Sequence, residues 1–124
     1  MTRVFWIGAA GFFGAIARYG IEGLVSRRTG GQFPWGTLVV NVSGCFVLGL
    51  LFTLFTERFL PHPNLRAALT VGFLGAYTTF STFSLETVRL LEDGAVWLAG
   101  ANAAASLALG IAFVSLGIFL GRAL

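Results

Sequence analysis

The sequence is short of charge. Only 10% of its 124 residues are charged, and all eight basic residues are arginines because lysine is absent. An average soluble domain is about 25% charged and uses those residues to build its polar surface. This chain cannot build such a surface, and its mean hydropathy is +0.86. The composition therefore excludes a soluble globular domain and predicts an integral membrane protein.

Cysteine and histidine each occur only once. A disulfide within the chain is therefore excluded, and one Cys with one His cannot form the ligand set of a zinc or other transition-metal site. Cys45 lies in an apolar stretch, where a small packing residue is the expected role. The net charge of +3 does not indicate nucleic-acid binding, because the arginines are scattered near the ends of apolar stretches. Arginines in such positions are ordinary signals of membrane topology.

Four apolar stretches are present, each with roughly the 20 residues that cross a hydrocarbon core of about 30 Å. They run over Val4–Val25, Gly36–Thr56, Arg66–Leu91 and Ala95–Leu120. The connections Ser26–Trp35, Glu57–Leu65 and Glu92–Gly94 are too short to hold a soluble domain. We predict an all-α membrane protein with one four-span domain over residues 1–124. The first stretch is long and contains Arg18 and Glu22, which disfavours a cleaved signal peptide.

The arginines give almost no orientation signal. If both termini share one side of the membrane, that side holds Arg3, Arg58, Arg66 and Arg122, and the other holds Arg27, Arg28 and Arg89. A chain with four arginines on one side and three on the other could insert in both orientations, unless another determinant fixes its orientation. Two copies could then pair antiparallel in the lipid about a two-fold axis in the membrane plane. Four spans are also few to enclose a polar path, which a dimer could do.

The third stretch combines hydroxyl and aromatic side chains at membrane depth. Five of the seven residues of Thr78–Ser84 carry a hydroxyl, and Phe80 and Phe83 share a helix face. Lipid satisfies no hydroxyl, so the cluster is expected beside a cavity, an ion or another helix. Gly72 and Gly75 precede it, and we predict a helix break near Gly75–Thr79.

A break at this depth offers ligands for ions of both signs. Exposed backbone carbonyls suit a hard cation such as Na⁺. The positive edges of Phe80 and Phe83 suit an anion, although plain packing is an alternative in a chain with 13 phenylalanines. The hydroxyl run is therefore the centre of the predicted functional site.

The other spans carry isolated polar groups with two interpretations each. Asn41 could bind an ion or bond to another helix. Arg18 could pair with Glu22, four residues later, or attract anions to a pore mouth. Asn102 and Ser106 share a helix face and could line the same path or bond to the third span.

Three motifs resemble the small fluoride channels of the Fluc or CrcB family, and the resemblance covers nearly the whole chain. They are Gly11-x-x-Gly14-Ala15-x-x-Arg18-Tyr19, Gly36-Thr37-Leu38-x-Val40-Asn41-x-x-Gly44, and Gly72-Phe73-Leu74-Gly75-x-x-Thr78-Thr79-Phe80-Ser81-Thr82-Phe83-Ser84. They occur in the expected order and spans. The fourth span is the weakest match, since some relatives have tyrosine where this chain has Asn102.

The resemblance implies an antiparallel, dual-topology homodimer in the inner membrane with two passive fluoride pores. It implies fluoride coordination by Asn41 and by the ring edges of Phe80 and Phe83. It also implies a structural Na⁺ held by the backbone carbonyls of Gly75 and Thr78. The remaining implied pore residues are Arg18 near the vestibule and the hydroxyls of Ser81, Thr82 and Ser106 along a polar track.

Two other functions fit a chain of this size. A proton-coupled antiporter of the small multidrug-exporter type needs a carboxylate in mid-span, whereas Glu22 and Glu86 lie towards span ends. A non-transporting membrane scaffold would not require the cluster of Asn41, Phe80, Phe83 and hydroxyls. The sequence therefore favours a channel over both alternatives.

Overall fold

The computed structural model describes all 124 residues, and its regular secondary structure is entirely helical. We number five helices in chain order. They are α1 (Thr2–Thr29), α2 (Trp35–Thr53, followed by a π-helical turn at Leu54–Arg58), α3 (Pro63–Ala67, the π-helical segment Ala68–Leu74, then Gly75–Tyr77), α4 (Phe80–Glu92) and α5 (Val96–Ala123).

Three of the predicted spans are single helices that are long and apolar enough to cross a membrane: Thr2–Thr29, Trp35–Arg58 and Val96–Ala123. The remaining predicted span is shared between α3 and α4. The π-helical segments in α2 and α3 were not predicted. Such segments often lie near functional sites, and the one in α3 leads directly to the residues that separate α3 from α4.

Two residues with extended backbone separate α3 from α4. Thr78 has φ −89° and ψ 155°, and Thr79 has φ −149° and ψ 116°. Both residues lie within the range Gly75–Thr79 predicted for the break, but Gly75 itself is helical. Thr79 then acts as the N-cap of α4, since its Oγ1 accepts the Thr82 N–H at 3.2 Å.

Glycines set how closely the helices approach. A Cβ on Gly14 would collide with the Phe73 carbonyl, so α1 packs directly on the backbone of α3. A Cβ on Gly49 would collide with the Val114 carbonyl, which gives the same close approach between α2 and α5. These small residues allow the backbone contacts that stabilise helix pairs in lipid.

Thr78 and Thr79 together are called the interruption below. The best-buried apolar cluster lies beside it. It consists of Val40, Leu74 and Tyr77, and it joins α2 to the end of α3. Ser43 adds a 2.9 Å hydrogen bond to the Tyr77 hydroxyl. The extended residues therefore follow a firmly packed segment, which holds their backbone in place.

Candidate functional site

Asn41 on α2 connects to the backbone at the interruption. Its Nδ2 donates to the Thr79 carbonyl at 3.0 Å, and its Oδ1 accepts the Thr79 N–H at 2.8 Å. The amide therefore satisfies both backbone groups of a residue outside the helices. One Nδ2 hydrogen remains, since an asparagine amide carries two donors.

A pocket of about 280 Å³ opens next to this contact. Four of the predicted site residues line it together: Asn41, Gly75, Thr78 and Phe80. Polar and aromatic groups from α2, α3 and α4 thus meet at one place.

Two backbone carbonyls at the interruption lose their helical donors. In a continuous helix the Thr79 N–H would bond to Gly75, but here it donates to Asn41. The Thr82 N–H would bond to Thr78, but it donates to Thr79 Oγ1. The carbonyls of Gly75 and Thr78 are consequently free to accept from, or coordinate, another group.

Phe80 and Phe83 lie on one face of α4, with ring centroids 5.6 Å apart at a tilt of 51°. Phe80 is 80% exposed in the single chain, and Phe83 is half-buried. Packing within the single chain therefore does not explain why position 80 carries an aromatic side chain.

Arg18 contacts the interruption rather than a carboxylate. Its Nε donates to the Ala76 carbonyl at 3.0 Å, and the expected alternative of an ion pair with Glu22 is not formed. A guanidinium at the carboxyl end of α3 is favourable, because unpaired carbonyls give that end a partial negative charge.

The hydroxyls of α4 divide between the helix cap and the surface. Thr82 Oγ1 accepts from Thr79 Oγ1 at 3.1 Å, and Ser81 is exposed, 3.4 Å from the same Thr79 oxygen. The three hydroxyls form one connected group at the start of α4.

The polar stripe of α5 has two different environments. Asn102 is buried and donates to Thr87 Oγ1 at 2.9 Å, so it bonds to α4. Ser106 Oγ is buried without a hydrogen-bond partner and faces a second, largely apolar pocket, which shares only Cys45 with the pocket of Asn41. Ser106 is therefore not brought to the pocket of Asn41.

The structure adds two features that the sequence analysis missed. Gly44 lies so close to Thr78 that a Cβ would collide with the threonine methyl group. Glu22 and Glu86 line one polar pocket of about 410 Å³, together with Thr37 and Arg27. The Gly44-containing motif was a signal for the first feature, but no local pattern indicates the second.

Comparison with known proteins identifies the family of this chain. Residues 5–118 match the family described as "CrcB-like protein, Camphor Resistance (CrcB)". The chain belongs to the CrcB family. The match includes all four predicted spans almost entirely, so it reaches every helix described above.

Relatives of this CrcB-family chain carry the same name, and they match it over nearly their full lengths. The chain is 50% identical to the fluoride-specific ion channel FluC of Solibacter usitatus, covering 94% of this chain and 95% of the relative. It is 46% identical to FluC of Nitratidesulfovibrio vulgaris, covering 98% of both. It is also 46% identical to FluC of Geobacter sulfurreducens, covering 100% of both.

Proposed function

We propose that this chain is a passive, fluoride-specific ion channel of the bacterial inner membrane, where it removes fluoride from the cytoplasm. It is a multi-pass membrane protein and not an enzyme. Relatives that match it from end to end carry the name of a fluoride-specific channel. The observation within the molecule that supports the proposal best is the Asn41 amide at the interruption, beside the exposed Phe80 ring.

The chemistry of this place suits a small anion that must lose water. Fluoride leaves its hydration shell only when near and numerous replacements are available. The remaining Nδ2 hydrogen of Asn41 is one such replacement. The edges of Phe80 and Phe83 carry partial positive charge and are others. A narrow lining of these groups would hold fluoride and exclude larger halides.

Arg18 and the hydroxyls extend this path in our proposal. Arg18 keeps a positive charge close to the interruption, since its Nε is fixed on the Ala76 carbonyl. Ser81 is exposed, and its hydroxyl lies 3.4 Å from Thr79 Oγ1, whose own proton goes to Thr82. The Ser81 proton would turn from this long contact to donate to the anion. Ser106 has a free buried hydroxyl and would join the path only from its separate pocket.

The functional unit that we propose is an antiparallel homodimer with two pores. The pocket at Asn41 is open, and the Phe80 ring next to it is 80% exposed. A second copy would supply the missing wall and cover that ring. The nearly equal numbers of arginines at the two ends would allow both orientations to insert.

A structural Na⁺ fits the free carbonyls at the interruption. Hard cations prefer oxygen ligands, and the carbonyls of Gly75 and Thr78 have lost their helical donors. Gly75 is exposed in the single chain, so a partner's carbonyls could complete the coordination in the dimer. The ion would fix the interrupted backbone and add positive charge near the anion path.

A passive pore is sufficient for the task. Fluoride enters a cell as neutral HF, which ionises at cytoplasmic pH and is then trapped as the anion. An inside-negative potential drives that anion outward by about 2.3 kcal/mol per charge per 100 mV. Proton-coupled antiport is not favoured, because the family relatives are named as channels.

Efflux from proteoliposomes tests this function against its rivals. Purified protein is reconstituted with internal fluoride, and the external ion is followed with a fluoride-selective electrode. Rapid efflux that needs only a counter-ion pathway is expected, with chloride efflux much slower. Strict coupling to protons would indicate an antiporter, no flux would indicate a scaffold, and equal rates for chloride would refute selectivity.

A further inference from the structure

One end of the molecule carries positive charge without acidic partners. Its charged side chains are Arg3, Glu57, Arg58, Arg66 and Arg122. Glu57, its single acidic side chain, is already paired with Arg122 at 3.1 Å in the only ion pair of the chain. Arg3, Arg58 and Arg66 form no ion pair. The Arg58 guanidinium donates instead to the carbonyl of Arg122. The opposite end differs, because it mixes arginines with Glu86, Glu92 and Asp93.

An apolar groove of about 390 Å³ lies at this positive end, between the start of α1 and the start of α3. Trp6 and Leu65, each about half exposed, line it together with Ala68. His62 and Asn64 complete its lining. A tryptophan near a helix end is typical of the membrane interface, so the groove lies where a lipid's headgroup meets its chains.

Hydrogen-bond donors stand at the mouth of the groove. Arg3 Nε donates to Asn64 Oδ1 at 3.3 Å, which fixes the guanidinium at the rim while its terminal nitrogens have no protein acceptor. His62 Nδ1 accepts the Asn64 N–H at 3.1 Å. The ring proton of neutral His62 is therefore on Nε2, which is a second donor. Arginine and histidine donors on one rim suit a phosphate.

We infer that this groove binds an anionic phospholipid, with the phosphate at Arg3 and His62 and an acyl chain along Trp6 and Leu65. Charge decides the class of lipid, because three arginines without acidic partners attract a net negative headgroup more than a zwitterionic one. Each arginine near an anionic surface contributes roughly a five-fold preference. The inference does not depend on which ion the protein conducts.

Tryptophan quenching tests the inference at the groove itself. Trp35 and Trp97 are replaced by Phe, so that Trp6 is the only tryptophan, and the full chain is reconstituted in phosphatidylcholine. Phosphatidylglycerol or phosphatidylcholine with brominated acyl chains is then added in equal amounts. We expect brominated phosphatidylglycerol to bind beside Trp6 several-fold more tightly. Equal quenching by the two lipids would overturn the inference, and it is the expected result if a protein surface covers the groove.

Substitutions at the two ends of α1 provide the matched comparison. Arg3→Gln should lower the preference for phosphatidylglycerol by about five-fold, while Arg28→Gln, also exposed but at the far end, should leave it unchanged. An equal loss in both variants would mean a general surface charge effect rather than a site. Added inorganic phosphate should not reduce the quenching, and if it does, the rim binds phosphate without requiring a lipid.

Discussion

The side-chain amide of Asn41 makes both of its hydrogen bonds with one residue, Thr79. It accepts the Thr79 N–H at 2.8 Å and donates to the Thr79 carbonyl at 3.0 Å. Unpaired backbone groups at membrane depth cost several kcal/mol. Asn41 therefore makes an interruption between α3 and α4 tolerable in lipid, and it brings an amide donor next to Phe80.

Asn41→Ala should remove both bonds and the free donor. Each unsatisfied backbone group costs about 1–3 kcal/mol, so we expect fluoride efflux to fall by about ten-fold or more. Asn102→Ala is the matched control, since Asn102 also donates one bond within the membrane, to Thr87, but away from the pocket. Efflux per folded protein, with folding checked by gel filtration, provides the measurement. Normal efflux in Asn41→Ala would remove the amide from the mechanism.

The two phenylalanines of α4 should contribute through their ring edges. Phe80→Ile and Phe83→Ile keep an apolar side chain but remove the quadrupole, so each should slow fluoride efflux by about ten-fold while leaving the proposed dimer intact. Phe119→Ile, on an exposed position of α5, should have little effect. If the two isoleucine variants conduct as well as the original chain, the rings only pack.

Much of the architecture can be predicted from hydropathy alone. Three of the four apolar stretches are single long helices, and family membership agrees with the three motifs. Gly72 and Gly75 also indicate roughly where the helix of the third stretch is interrupted. The glycines, however, are helical, and the extended residues are the threonines that follow.

The pairing of side chains across helices could not be predicted. Arg18 bonds to the Ala76 carbonyl, 58 residues away, although Glu22 is its near neighbour on α1. Nothing in a one-dimensional pattern favours the carbonyl, because it becomes available only when the helix ends. The separation of Ser106 from the Asn41 pocket depends in the same way on how α5 packs against α2.

Removal of Na⁺ should weaken the proposed dimer if the carbonyls of Gly75 and Thr78 hold that ion. An ion bound only by the assembled state stabilises it by mass action, by about 2.7 kcal/mol at 100 times its dissociation constant. We therefore expect the dimer's melting temperature to rise with Na⁺ concentration. N-methylglucamine at the same ionic strength is the control. A melting temperature that is identical in both salts, after prolonged dialysis to allow exchange, would contradict a sodium site.

The contact between Gly44 and Thr78 allows a test by rescue. A Cβ at position 44 would collide with the Thr78 methyl group, so Gly44→Ala must push the extended backbone away from α2. Overpacking of this kind typically costs 1–3 kcal/mol, and efflux should fall by about ten-fold or more. Gly100→Ala is the control, because nothing lies within 4 Å of a Cβ there.

Thr78→Ser removes that methyl group and keeps the hydroxyl that donates to the Leu74 carbonyl at 2.9 Å. The Gly44→Ala/Thr78→Ser double variant should therefore recover efflux relative to Gly44→Ala. Full recovery is not expected, since the new methyl would still lie 3.3 Å from the Tyr77 ring. A double variant as impaired as the sum of the single variants would mean that the two residues act independently, and that the position of the interruption does not depend on this contact.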